Sequence, residues 1–243
     1  MTTRFFLDRV EGERVALSRA DSHHLLRVLR AVPGTPFIVL AQGMHYDCVL
    51  EAVADGLAWG RITASRPAAG EPRIRIVLFQ GLAKGEKLER VIQHGTELGI
   101  AEFTPVATSR SVVKLDAQKA AERTERWQRI AREAAEQSRR GAVPRVTHLH
   151  TWQQAVARIP EFDLALVPWE EGGVPLKAAL EACPEAVSFA LFIGPEGGLS
   201  AEEVGLAREA GAIPVTLGPR ILRTETAPLA TAAAILYARG EMG

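Results

Sequence analysis

Two cysteines, Cys48 and Cys183, are all that 243 residues contain, too few for a disulfide framework or a thiolate metal site. The six histidines show no ligand spacing, and the adjacent His23 and His24 cannot share one helical face. No run of about 20 uncharged apolar residues is present to span a bilayer. The opening "MTTRFFLDRV" has no apolar stretch of signal-peptide length behind its charges. The fingerprint of dinucleotide sites is missing, because the glycines at 194, 197 and 198 have the wrong spacing for it, and there is no phosphate-loop lysine. These gaps predict a soluble, cytoplasmic chain with no structural metal and no membrane segment. Net charge is lacking as well, at +0, which argues at first sight against a nucleic-acid partner.

The distribution of charge says more than its sum. From Ser109 to Arg145 there are ten Lys and Arg against five Asp and Glu; from Val146 to Pro219 there are three against ten. Segregation on that scale produces a basic face without a basic protein. Apolar residues make up 47%, enough for real cores, and the length fits one medium and one small domain.

Period-two or short apolar runs dominate up to Arg66: "RFFL", "ERVALS", "PFIVLA", "HYDCVLEAVA" and "LAWGRITA". One helix interrupts them, "ADSHHLLRVLRAVPG", with Asp21 or Ser22 as its cap. Five strands and one helix predict a small β-barrel over 1–70. "RPAAGEPR" then reads as a linker. From residue 73 to 243 strands and helices alternate, including a long helix from Asp116 to a stop at Gly141, which predicts an α/β domain with a mostly parallel sheet. Ligands in such sheets gather beyond the carboxyl ends of the strands.

Two segments stand at such ends. In "SFALFIGPEGGLSAEE" an apolar strand runs into Gly194-Pro195-Glu196-Gly197-Gly198, and Ser200 with Glu203 forms a capping box for the helix that follows. Glu196, Glu202 and Glu203 crowd that helix start, so a phosphate gains little from the helix dipole; a neutral or cationic ligand fits better. The second segment, "LGPRILRTETAPLAT", repeats a Gly-Pro turn between the last strand and the last helix. Paired Gly-Pro turns make backbone walls for a flat group such as adenine, with Ile221 and Leu222 packed on the ring.

"IGPEGGLSAEE" followed by "LGPRILRTETA" resembles the signature of the RsmE family, methyltransferases of the SPOUT superfamily. The likeness extends over nearly the whole chain: "HHLLRVLRAVPG", "KGEKLERVIQHGTELGI", "RSVVK" and "EAAEQSRRGAVPRV" resemble its other blocks. The resemblance implies a PUA-like N-terminal barrel that binds RNA and a C-terminal α/β domain tied in a deep trefoil knot. It also implies homodimers with active sites at the knot, S-adenosyl-L-methionine as methyl donor, and methylation of ring N-3 of a uridine in 16S ribosomal RNA of the small subunit. Cofactor-lining segments carried over from the family are Leu166-Val167-Pro168, Gly194 through Gly198, and the loop from Leu217 to Ala227. Within that loop Leu217, Gly218, Ile221, Leu222, Thr224, Thr226 and Ala227 are expected to meet the cofactor.

Methylating an imide nitrogen requires loss of its proton, and negative charge then builds on the flanking carbonyl oxygens. An arginine aimed at those oxygens stabilises that charge. "RILRTET" offers Arg220 and Arg223, with Glu225 orienting the arginine or accepting the proton; the plainer alternative is an Arg223–Glu225 structural ion pair. For RNA contact the expectation is Arg4, Arg27 and Arg30 from the barrel, the last two three apart on one helix, with Lys84, Arg110, Lys114, Arg139 and Arg140 flanking the sheet. Trp127 and Trp152 read as core or as base-stacking residues. Rival readings are a transfer-RNA enzyme of the same superfamily and a non-catalytic RNA-binding assembly factor.

Overall fold

The computed structural model describes residues 2–113 and 115–242. The chain divides into two compact units, residues 1–71 with 135–143, and residues 72–134 with 144–243. Among the described residues no helix is long and apolar enough to cross a membrane.

The first unit is built on a five-stranded sheet of β1 (Arg4–Phe6), β2 (Arg14–Ala16), β3 (Pro36–Ala41), β4 (Met44–Ala54) and β5 (Leu57–Pro67), in the order β1-β3-β4-β5-β2. Two-residue turns join β3 to β4 and β4 to β5. Gln42-Gly43 and Asp55-Gly56 both have positive φ throughout, the turn geometry whose twist matches antiparallel strands. Alternate residues turn Phe5, Val15, Phe37, Val39, Cys48 and Leu50 into one core. Gly60 is required beneath it, since a Cβ there would lie 2.3 Å from the Phe37 ring.

The helix expected over 20–34 is shorter and begins earlier. α1 covers Arg19–His23 and passes into a π-helical turn, His24–Val28. Its cap is Ser18, whose hydroxyl accepts from Asp21 N. Ser22 is buried instead: it donates to Leu17 O and accepts from Ala58 N, bracing the sheet. Residues 135–143 belong to this unit. Ala135 packs with Phe6, Ile38 and Leu40, and the Arg140 guanidinium is held by Glu71, whose carboxylate also accepts from Gly141 N and Ala142 N.

The second unit carries β6 (Arg75–Gly81), β7 (Glu102–Ala107), β8 (Arg145–Val146), β9 (His150–Thr151), β10 (Leu164–Pro168), β11 (Val174–Pro175), β12 (Ser188–Ile193) and β13 (Ile213–Thr216). All of these pair in parallel, in the order β11-β13-β10-β12-β6-β7-β8, with β9 beside β7. Helices α2 (Lys87–Leu98), α3 (Ala117–Gln137), α4 (Trp152–Val156), α5 (Leu176–Ala182), α6 (Ala201–Glu209) and α7 (Ala227–Ala238) connect them. The segment "RVTHLH" contributes two short strands, β8 and the start of β9, rather than one long one. α3 ends at Gln137 rather than at Gly141, because Arg139 takes a left-handed φ of 61° and Arg140 N bonds back to Ala135 O.

Burial explains the sheet. β6, β10 and β12 are covered on both faces, as parallel strands require, so "IVLF", "LALV" and "FALFI" are continuous apolar runs. Phe79 stacks on Phe192 at 4.4 Å. Trp127 and Trp152 are core residues, at 2% and 4% exposure; neither is available to stack on a base. β12 separates β10 and β13 from β6 and β7, so the strand order reverses about it. Beyond the carboxyl ends of strands at such a switch point lies the crevice where α/β proteins bind ligands.

Candidate cofactor and RNA site

The crevice is bounded first by the turn after β12. Gly198 N bonds Pro195 O at 3.0 Å and Gly198 has φ 69°, so the chain doubles back within five residues. A Cβ on Gly194 would stand 2.7 Å from the Gly198 carbonyl carbon, and one on Gly81 would stand 2.6 Å from Pro195 N. Glycine is needed where these backbones touch. The capping box is formed: Ser200 Oγ accepts from Glu203 N, and Glu203 Oε2 accepts from Ser200 N.

The three carboxylates expected to crowd this turn are not equivalent. Glu203 is buried, and its other oxygen accepts from Ser109 N at 2.7 Å. Glu196 Oε1 accepts from Lys84 N at 2.9 Å and pairs with Lys87 Nζ at 3.0 Å. Burial raises the Glu196 carboxyl, but backbone N–H donors and the Lys87 ammonium outweigh it and hold it below its ordinary value. Glu202 is exposed. Two of the three charges are therefore already matched, and the expectation of a strongly negative turn is corrected.

The second wall is the segment between β13 and α7. Gly218 has φ 101°, and its N–H bonds Thr216 Oγ1. Arg223 O accepts from both Thr226 N and Ala227 N as the chain enters α7, with Pro228 in the first turn. Thr224 Oγ1 donates to Gly194 O at 2.6 Å, which joins the two walls.

Between them opens a cavity of about 510 Å³, within the range of small-molecule sites. Of the residues expected to meet a cofactor, Pro168, Gly194, Pro195, Glu196, Gly198, Leu217, Gly218, Ile221, Leu222, Thr224 and Ala227 line it. Four do not. Leu166 and Val167 have 0% exposure and serve the β10 core. Gly197 faces the Arg110 side chain. Thr226 is exposed at the cap of α7.

Of the expected catalytic residues, Arg220 and Arg223 line the cavity. Both are exposed, and neither guanidinium has a hydrogen bond or ion pair among the described residues. The Arg223–Glu225 pair does not form. Glu225 lies 3.9 Å from Lys87 Nζ instead, and its Oε2 is buried without a hydrogen-bond partner.

Sequence reasoning missed Lys87, Trp169 and Glu170 on the wall. Trp169 and Glu170 directly follow the carboxyl end of β10, a position that marks them. Lys87 opens α2 with no signal to separate it from other surface lysines. Gln80 was also missed, though a polar residue inside "RIVLFQG" is itself a signal.

The expected RNA contacts divide. Arg27 and Arg30 are exposed, but they do not share a helix, since Arg30 follows the π-turn with φ 55°. Arg139 is exposed, and its carbonyl accepts from Arg4 Nη1 at 3.2 Å. Arg140 is 4% exposed and bonded to Glu71, which removes it from any surface. Lys84 is exposed. Arg110 Nη1 donates to Gly197 O and Leu199 O, bracing the glycine turn. Lys114 lies outside the described residues. Among the described residues no cluster of three or more His, Cys, Asp or Glu is placed to hold a metal ion.

Residues 70–236 match the RNA methyltransferase domain model. The chain is 40% identical over 233 residues to ribosomal RNA small subunit methyltransferase E of Bacillus subtilis, covering 93% of this chain and 91% of that protein. The chain belongs to the ribosomal RNA small subunit methyltransferase E family. The Synechocystis member is 38% identical over 224 residues, 91% of this chain and 72% of that protein. The crystal structure of the Neisseria gonorrhoeae member bound to S-adenosyl methionine superposes with a TM-score of 0.84 at 32% identity, covering 97% of both chains. The α/β fold with its mostly parallel sheet and small N-terminal sheet thus matches that of a solved methyltransferase over nearly the whole chain.

Proposed function

We propose that this protein is an S-adenosylmethionine-dependent methyltransferase that methylates ring N-3 of a uridine in 16S ribosomal RNA. Family membership supports the cofactor and the RNA class, and the cavity supports their location. Its volume, its backbone walls at Gly194 and Gly218 and the apolar Leu217 and Leu222 suit an adenosyl group; the exposed Glu170 carboxylate suits a cationic methionine end, while Glu196 is already paired with Lys87. When bound, that cofactor supplies an electrophilic methyl group.

The chain's own groups handle the uracil. Arg223 and Arg220 stand at the cavity wall with their donors unspent, free to meet the carbonyl oxygens on which charge accumulates when the imide loses its proton. Glu225 lies two residues on, outside the cavity lining and 3.9 Å from Lys87 Nζ, and would accept that proton or orient the guanidinium only on leaving that lysine. The unpartnered Arg223 guanidinium on the cavity wall is the observation that carries this assignment.

The same reading takes the first unit as a PUA-like β-barrel that binds RNA through Arg27, Arg30 and Arg139. It takes the segment 217–226, lying against the 194–198 turn, as part of a trefoil knot, and the working form as a cytoplasmic homodimer acting on the small subunit. The test is to incubate purified protein with labelled S-adenosylmethionine and small subunits from cells lacking it, then map the modified nucleotide. N-3-methyluridine at one position is expected; label at any other base or atom overturns the N-3 assignment.

A further inference from the structure

Gln80 ends the apolar run of β6 at 1% exposure, where a leucine or methionine would bury at less cost. Its Nε2 donates to Thr224 Oγ1 at 2.9 Å and lies 3.4 Å from Gly194 O and 3.3 Å from Gly81 O. Thr224 Oγ1 in turn donates to Gly194 O at 2.6 Å. One amide, one hydroxyl and one carbonyl thus close a triangle joining the end of β6, the turn after β12 and the loop before α7. Gln80 Oε1 is buried with no hydrogen-bond partner among the described residues. A polar group retained against that penalty needs a reason, and the geometry around Gly81 supplies one. The end of β6 and the turn after β12 already meet backbone to backbone at Gly81 and Pro195, so that turn has a fixed seat. The loop 217–226 has no strand partner and depends on side chains for its register.

We infer that Gln80 is a positioning residue that, through Thr224, holds the two cavity walls at the separation the cofactor needs. It is absent from the cavity lining, so it acts through Gly194 and Thr224 rather than by contact. This rests on the cofactor reading above for its binding readout, and not for its structural one.

The structural readout is hydrogen exchange on ligand-free protein. Gln80→Met is expected to speed exchange in both 194–199 and 217–227 while β7 and α2 stay protected. Exchange confined to neither segment, or spread through the sheet, overturns the inference. The binding readout is calorimetry with S-adenosylmethionine. Gln80→Met and Thr224→Val are each expected to weaken binding about tenfold, as loss of a buried hydrogen bond does. The double variant should be no weaker than the worse single, because both remove one network, and Thr224→Ser should bind within threefold of wild type. Multiplying effects near 100-fold, or wild-type affinity in both singles, overturns it. If wild-type protein binds no S-adenosylmethionine, the proposed function fails instead, and the exchange result still decides the role of Gln80.

Discussion

The Lys87 ammonium lies 3.0 Å from Oε1 of Glu196, which fastens the first turn of α2 to the glycine turn after β12. Both side chains are about one-third exposed, so the pair contributes under about 1 kcal/mol to stability. Its pH dependence has a definite sign. The folded Glu196 carboxyl lies below its ordinary 4.5, so the contribution is complete above that value and is lost as pH falls through the lower folded one. Lys87→Met should melt a little below wild type at pH 7. The difference should begin to shrink as the pH falls below the ordinary 4.5 and vanish once Glu196 is protonated in the folded protein. A gap that persists in acid assigns the effect to the lysine stem rather than to its charge.

Arg223→Ala tests the chemistry directly. Removing one donor from a charge-stabilising site typically lowers turnover by about 100- to 1,000-fold. Because the Arg223 guanidinium makes no hydrogen bond or ion pair among the described residues, folding and cofactor affinity should change little. Single-turnover methylation, with cofactor affinity measured in parallel, separates the two. An arginine that acted only as part of the cofactor wall would move the affinity and leave turnover alone.

Gly81→Ala places a methyl group 2.6 Å from Pro195 N and 2.7 Å from its Cδ. Backbone cannot step aside as a flexible side chain does, so the expected cost is about 1–3 kcal/mol. The displaced 194–198 turn should also lose ligand affinity. Gly205→Ala is the control, since nothing lies within 4 Å of its added carbon and alanine favours helix. Urea denaturation of both variants tests the contrast.

Much of this site could be read from the chain before its fold was known. Glycine turns after apolar strands show where backbones approach, and the capping box at Ser200 and Glu203 announces itself three residues apart. The place of β12 in the chain is plain because a buried parallel strand is apolar throughout, although such a run carries no alternation to set its register. What escaped is what depends on distant partners. Glu196 looks like free charge until Lys87 is seen beside it, more than 100 residues away in sequence. Arg140 looks like a surface cation until Glu71 is seen to enclose it. Ser22 reads as a helix cap, yet the cap is Ser18, four residues sooner, and the Ser22 hydroxyl is taken by Leu17 O and Ala58 N. Local rules place turns and caps; long-range ion pairs decide which charges remain for a ligand.

That distinction separates the arginines in the first unit. Arg140 is 4% exposed and forks onto Glu71, while Glu71 is 27% exposed and keeps the Gly141 and Ala142 N–H donors, so Arg140→Ala should destabilise by about 1.5–3 kcal/mol, the usual worth of hydrogen bonds to a charged group. Any loss of RNA affinity should then follow the loss of folded protein. Arg27 and Arg30 are exposed and have no hydrogen-bond or ion-pair partner among the described residues, so their double alanine variant should keep the wild-type melting temperature. If these two meet phosphates, the slope of log affinity against log salt should become shallower by about 1–2. An unchanged slope, with binding intact, takes both residues out of the RNA interface and leaves Arg139 as the exposed arginine of this group to test next.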